Sequence, residues 1–418
     1  MTFNAQTATL SQWLERLESL HPTEIELGLG RIRQVADVLG CSKPAPLTIV
    51  VGGTNGKGTT SALIAALLRA QGLNVGVYSS PHIQRYNERV AVNGSEVSDE
   101  ALCEGFRAVE AARGDVSLTY FEFGTLAAFK WFSEQNLDAC VLEVGLGGRL
   151  DAVNIVDPDI SVVTSIGLDH QAWLGDTEEL IAIEKMGIAR QGKYLVCGQS
   201  KPPQTAKQTV DTIGGLWHCR GEQFDVTKTE TGLELRFQQQ GSDVNWSLPL
   251  AAIPYHNVAT AIQTLALVDR LPDLQTTQNV VGSLRVAGRL QSWQRGSLTL
   301  TLDVAHNEQA AAYLGQVLVE VDGLILGMLG DKDVQAVARV LPRSKQRLLV
   351  GLSCPRGLQA AELAQRLGED SADRVLENVA AAMDQLPDQG HWLVCGSFYT
   401  VEAAMDVIRQ EKDVWNSI

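Results

Sequence analysis

Short β-branched apolar runs alternate along the chain with longer stretches whose apolar residues recur at helical spacing, a pattern that predicts a parallel sheet covered on both faces. Strands are predicted at Leu47–Val51, Val75–Tyr78, Ala139–Glu143, Ile160–Ser165 and Tyr194–Cys197. Between the first two, Leu63, Ile64, Leu67 and Leu68 form an apolar stripe, which predicts a helix over Thr60–Gln71 stopped by Gly72. The result is a βαβ unit over residues 47–78. From Cys219 to Pro249 the pattern turns to alternating Thr- and Gln-rich segments such as Leu233–Phe237, which predict antiparallel hairpins in a small added β-layer. A second α/β series follows, with apolar runs at Leu298–Val304, Leu324–Met328, Arg347–Leu352 and Trp392–Cys395. The change falls at Leu284–Arg289, so the expected domains are residues 1–285 and 286–418, with a binding cleft expected between them.

Length and composition agree with this division. At roughly 150 residues per domain, 418 residues favour two or three domains. Hydrophobic residues at 45% and charged residues at 20% exclude collagen-like, coiled-coil and wholly disordered chains. The charge sum of 34 basic and 49 acidic residues is −15, which repels phosphate backbones and anionic lipid. Neither a nucleic acid nor a membrane is therefore an expected partner, and any anionic substrate must be held by local cations and helix N-termini. Seven scattered cysteines without a C-x-x-C pair predict reduced thiols in a cytoplasmic protein, with no disulfide framework or zinc site. The opening segment lacks the features of an export signal, and no run of 18 apolar residues occurs.

The first predicted strand runs into Gly52-Gly53-Thr54-Asn55-Gly56-Lys57-Gly58-Thr59-Thr60 and then a helix. Glycines let successive N–H groups turn toward phosphate oxygens, the helix N-terminus adds positive potential, and Lys57 adds a mobile charge. This order points to a nucleoside triphosphate. In the common form of the motif a hydroxyl residue follows the lysine directly, whereas here Gly58 precedes Thr59, so the usual magnesium ligand is not assured. Other groups at carboxyl ends of strands must then hold the metal. Glu143 ends an apolar run before Gly145-Leu146-Gly147-Gly148, where a carboxylate is costly unless a cation meets it; the alternative is a solvated strand end. His170 closes the next such segment, Ser165-Ile166-Gly167-Leu168-Asp169-His170.

Taken together, the phosphate loop, Tyr78-Ser79-Ser80-Pro81-His82, Leu118-Thr119-Tyr120-Phe121-Glu122, Glu143-Val144-Gly145-Leu146-Gly147-Gly148-Arg149-Leu150-Asp151, Ser165–His170, Glu184-Lys185, Asp303-Val304-Ala305-His306-Asn307 and Gly396-Ser397 closely resemble the bacterial bifunctional dihydrofolate synthase/folylpolyglutamate synthase family of the Mur ligase superfamily. The matches keep one order from about residue 10 to residue 409. The resemblance implies an N-terminal P-loop ATPase domain and a smaller Rossmann-like C-terminal domain with ATP held between them. It implies ATP-dependent addition of L-glutamate to dihydropteroate and to reduced folates through an acyl phosphate, with closure of the two domains keeping water from that intermediate.

By the same resemblance, Gly53, Thr54, Asn55, Gly56, Lys57, Gly58 and Thr59 hold the nucleotide phosphates, with Asn257 at the adenine and Arg289 and Asp303 on the C-terminal side. Ser80, Glu143 and His170 are the implied Mg²⁺ ligands, and Lys57, Lys185, Arg289 and His306 take the catalytic roles. Lys185 matches a lysine carbamylated in the family; by sequence alone it reads as a solvated helix residue. Leu27, Gly28, Thr119, Phe121, Asp151 and Ala152 match the segments that hold the pterin, although Phe121 alone also fits a core aromatic. Ala287 and Glu308 stand where the family often has proline, which alters hinge stiffness without removing a charge. A nucleotide-dependent switch would share the phosphate loop but have no use for Arg289, Asp303 and His306. A cell-wall ligase of the same superfamily would lack the 79–82 and 118–122 segments as written here. Small-molecule substrates and a monomer are expected.

Overall fold

The computed structural model describes residues 3–23, 25–368 and 373–418. It divides into two compact units, one ending at Leu284 and the other beginning at Arg285. Each is built on its own sheet.

The first unit carries eight strands in the spatial order Ser95–Glu96, Val90–Val92, Val75–Tyr78, Ala139–Glu143, Leu47–Gly52, Ile160–Val163, Tyr194–Cys197 and Leu216–Cys219. The last six run parallel and the first two are antiparallel. Leu47–Gly52 lies inside the sheet, with Val51 opposite Glu143 on one side and Val162 on the other. Because the strands are parallel, the chain leaves Tyr78, Glu143, Gly52 and Val163 at one sheet edge. That edge gathers the loops which the sequence singles out.

The five expected strands are present, with Ile160 ending at Val163 instead of Ser165. Thr164 and Ser165 leave the ladder because their hydroxyls serve the neighbouring loop, both donating to the Asn55 carbonyl at 2.6 and 3.1 Å. The predicted Thr60–Gln71 helix spans Lys57–Arg69. It starts earlier because Gly56, at φ +85°, turns the chain directly into the first helical residue, and the polar Lys57–Thr60 turn carries no apolar period to be read. The antiparallel layer is a separate three-stranded sheet of Asp225–Lys228, Leu233–Gln239 and Ser242–Leu248, whereas Leu216–Cys219 pairs in parallel with the main sheet. This layer packs on the helix Tyr255–Leu267 through buried Gln263, whose amide accepts from the Gln238 N–H and donates to the Gln238 carbonyl, both at 2.9 Å. An exposed layer is thereby fastened to a helix that bears Asn257.

The second unit has the strand order Asp373–Leu376, Arg343–Val350, Glu320–Leu326, Gln389–Cys395, Ser297–Leu302, Gln291–Arg295 and Asn416–Ser417. Its first five strands are parallel. The predicted Leu298–Val304 run stops as a strand at Leu302, because the Asp303 carboxylate accepts from the N–H groups of Leu290 and Ala305, both at 2.9 Å, and bends the chain there. All seven cysteines are free thiols, six of them buried. Among the described residues no helix is long and apolar enough to cross a membrane.

The N-terminal helices are held by aromatic packing. Fully buried Trp13 meets Phe3 at 4.8 Å, Phe106 at 5.7 Å and Phe123 at 6.2 Å between ring centroids. Its replacement by alanine leaves a cavity at the junction of three helices and is expected to destabilise the first unit by about 3–5 kcal/mol, to be read as a lower denaturant midpoint in equilibrium unfolding.

Candidate active site

The phosphate loop is shaped by contact with the next strand. Thr54 N–H donates to the Ser165 carbonyl at 2.9 Å, Asn55 N–H to Ser165 Oγ at 2.9 Å, and Thr54 Oγ1 to the Gly167 carbonyl at 3.1 Å. A Cβ on Gly53 would lie 1.9 Å from Thr164 Oγ1, and one on Gly56 2.6 Å from Asn257 Nδ2. Both glycines have positive φ, so neither position admits a side chain. Lys57 Nζ donates back to the carbonyls of Gly53 and Thr54 at 3.0 and 3.4 Å, curled along the loop.

Asn257 closes the loop from behind. Its Nδ2 donates to Thr59 Oγ1 at 2.8 Å, and that hydroxyl donates to the Gly56 carbonyl at 3.0 Å. Its Oδ1, with the hydroxyls of Thr60 and Ser61, is buried without a hydrogen-bond partner. Buried polar groups left unpaired are costly, and they fit a site that a polar ligand completes. The structure thus sets Asn257 against the phosphate loop itself, a contact that the sequence does not reveal.

Glu143 is buried at its strand end with its Oε2 beside Gly58, where a Cβ would lie 3.7 Å away. Ser80 follows the adjacent strand, in which Tyr78 pairs with Leu142. His170 lies beyond the Ile160–Val163 strand, on the other side of the phosphate loop, exposed and at φ +52°. The carboxylate and the hydroxyl are oxygen donors of the kind that a hard divalent cation takes, and the imidazole is a softer donor beside them. Among the described residues no cluster of three or more His, Cys, Asp or Glu has metal-holding geometry.

Lys185, read from sequence as a solvated residue, is only 4% exposed. Its helix, Glu178–Met186, lies so close to the Gly145–Gly148 turn that a Cβ on Gly148 would meet the carbonyl of Lys185 at 2.9 Å. Burial first, and the positive charge of Lys57 second, lower its pKa to about 7, while Asp169 and Asp151 oppose the shift. Burial raises Asp151 to about 6 against hydrogen bonds from Leu146 and Val153 N–H at 2.8 and 2.9 Å. A lysine that can lose its proton and a carboxylate that can gain one lie in one field.

The remaining segments converge beside Asp151. Gly28 N–H donates to the Leu150 carbonyl at 3.4 Å, which joins Leu27–Gly28 to Asp151–Ala152. Thr119 caps the helix Tyr120–Glu134 in a reciprocal box with Glu122, so its hydroxyl is engaged in the cap. Half-buried Phe121 lies against Gly145, where a Cβ would meet its ring at 2.6 Å, and 6.0 Å from the Tyr78 ring. Sequence reasoning missed Arg89. It is nearly buried, donates from Nε to His82 Nδ1 at 2.9 Å, and lies 5.2 and 5.7 Å from the rings of Tyr86 and Tyr120. Burial and this guanidinium lower His82 to about 4, so it stands as a neutral acceptor.

In the second unit, Arg289 places its guanidinium carbon 5.1 Å from the Phe398 ring, and His306 lies 6.0 Å from the same ring with Nδ1 on the Val304 carbonyl at 2.9 Å. Phe398 therefore groups the two. Asp303 is buried at the end of its strand, and that burial raises its pKa against the charge of Arg289.

Residues 51–268 match the Mur ligase middle domain and residues 288–398 the Mur ligase glutamate ligase domain. The dihydrofolate synthase/folylpolyglutamate synthase of Escherichia coli is 42% identical over 96% of this chain and 95% of its own. Among solved structures, E. coli FolC in complex with DHPP and ADP is similar with a TM-score of 0.90 and 39% identity, covering 98% of this chain and 100% of that one. A bifunctional folylpolyglutamate synthase/dihydrofolate synthase with Mn, AMPPNP and L-glutamate bound is similar with a TM-score of 0.89 and 40% identity, again over 98% and 100%. The chain belongs to the Mur ligase family and, within it, to the dihydrofolate synthase/folylpolyglutamate synthases.

Proposed function

We propose that the protein is an ATP-dependent carboxylate–amine ligase that adds L-glutamate to dihydropteroate, giving dihydrofolate, and to reduced folates, giving folylpolyglutamates. The observation that carries this reading is a phosphate loop sharing one sheet edge with the Gly28, Phe121 and Asp151 segments. Residues 1–285 take the ATP-binding role and residues 286–418 the ligase role.

A carboxylate does not react with an amine in water, because its oxygen is a poor leaving group. Transfer of the ATP γ-phosphoryl group to the substrate carboxylate gives an acyl phosphate; the glutamate amine then attacks the acyl carbon and phosphate leaves. The chain's share is positioning and charge neutralisation. With the Thr54 and Asn55 N–H groups already bonded to Ser165, the phosphates fall to Lys57 and the N–H groups that open its helix; Arg289 adds a second cation, and Asn257, Asp303 and His306 support nucleotide and glutamate. Ser80, Glu143 and His170 would hold Mg²⁺, which supplies charge neutralisation at the transferring phosphoryl oxygens. Phe121 offers a ring face to the flat pterin, with Leu27, Gly28, Thr119, Asp151 and Ala152 around it.

Lys185 carries a carbamate in this reading. The ammonium first loses one proton, and the neutral amine then adds to CO₂ and releases a second, so that a buried cation in the field of Lys57 becomes an anion. A pKa of about 7 makes the amine available above that pH and withholds it below. The protein works in the cytoplasm as a monomer on small molecules, without nucleic acid or membrane, in keeping with its net charge of −15.

Purified protein given dihydropteroate, ATP, Mg²⁺ and glutamate is expected to form dihydrofolate and ADP, with ADP release dependent on all three substrates; extension of folates without any dihydrofolate synthesis would refute the double activity. Lys57→Ala should lower turnover by about 10²–10³-fold with the fold intact by circular dichroism. Glu143→Gln should shift the magnesium titration to higher concentration, and an unchanged titration would leave Glu143 a plain strand end. Stripping CO₂ and bicarbonate should reduce activity, more at pH 6 than at pH 8, and bicarbonate should restore it. Equal rates in stripped and bicarbonate-supplied buffer would remove the carbamate.

A further inference from the structure

Arg31 is the second residue of the helix Gly30–Leu39, which Leu29 joins to Leu27–Gly28. Its guanidinium reaches in two directions. Nη1 donates to Glu26 Oε1 and Nη2 to the Glu26 carbonyl at 3.2 Å, while Nη2 also donates to Glu122 Oε1 at 3.1 Å, across 91 residues of sequence. Glu26 is tied in turn to His21, whose Nε2 lies 3.2 Å from Glu26 Oε2. The Glu122 side chain is only 5% exposed, and its other oxygen accepts from the Thr119 N–H at 2.8 Å. One guanidinium therefore joins the stretch carrying Leu27 and Gly28 to the helix end carrying Phe121. The Gly28 N–H continues the link to the Leu150 carbonyl, ahead of Asp151 and Ala152.

We propose that Arg31, acting through Glu122, is a positioning residue for the pterin-bearing substrate, fixing three chain segments in register around the flat ring. This rests on the reading above that those segments hold the pterin. A turn left loose before binding must be ordered by the substrate, and that entropic cost weakens binding without touching the phosphoryl chemistry. The effect belongs in KM for the pterin substrate. It does not belong in kcat or in KM for ATP.

Glu122→Gln separates this role from folding, since glutamine serves the same position of a capping box and keeps the Thr119 turn while losing the charge that faces Arg31. Arg31→Met removes the link from the other end. In steady-state assays each variant should raise KM for dihydropteroate by about tenfold, with kcat and KM for ATP within about twofold of wild type. The double variant should be no worse than Arg31→Met alone, because that substitution already removes the Glu122 contact along with those to Glu26. Arg31→Lys, which keeps one charge-assisted bond, should recover part of the loss. An unchanged KM for dihydropteroate in Glu122→Gln, or an equal rise in KM for ATP, overturns the positioning role while leaving the ligase reading in place. A wild-type protein that binds and turns over ATP with a reduced folate but never uses dihydropteroate overturns the pterin reading and the proposal with it.

Discussion

The contact between the Gly52–Asn55 turn and the Thr164–Ser165 backbone governs the first unit. Two neighbouring parallel strands end side by side, and the loop leaving one is bonded to the loop leaving the other at Thr54 and Asn55. The approach is close enough that no β-carbon fits at residue 53. Once that turn is fixed, the helix must begin at Lys57, Thr59 must face Asn257, and Glu143 must look across at a residue without a side chain. The arrangement needs the sheet to be parallel, because only then do these loops share an edge.

A second constraint is electrostatic. Lys185 and Asp151 lie within each other's field, and burial acts on both to disfavour charge. A protein seeking stability alone would fill such positions with apolar groups. Lys57 lowers the pKa of both groups, while Asp151 and Asp169 raise that of Lys185, so a change of charge on one group is felt by the others.

Much of this was legible in the sequence, and the exceptions have physical causes. The apolar runs of the parallel strands and the order of glycines and lysine in the phosphate loop carry their own signals, since backbone geometry at residues 53 and 56 admits little else. The edge hairpin Val90–Glu96 was legible but unread: Asn93-Gly94, at φ +54° and +81°, is the turn such a hairpin requires. The burial of Lys185 and of Arg89 was not legible, because burial is decided by what packs from elsewhere, the Gly145–Gly148 turn in one case and Tyr86 with Tyr120 in the other. Asn257 was placed on the nucleotide by resemblance, while its bond to Thr59 spans 198 residues and has no local trace. The short strands Gln291–Arg295 and Asn416–Ser417 are polar edge pairings that leave no apolar period.

The shut space at residue 53 also bears on how the protein could escape an inhibitor. Resistance by substitution needs a side chain that can be exchanged at tolerable cost. An exposed side chain such as Trp173 can be exchanged at little cost to the fold. Within the turn the Thr54 and Asn55 N–H groups are bonded to Ser165; Gly53 and Gly56, which cannot accept a side chain without collision with Thr164 or Asn257, lead into the backbone amides that open the Lys57–Arg69 helix. A compound that draws its affinity from those amides would meet a target whose sequence has almost no freedom to drift.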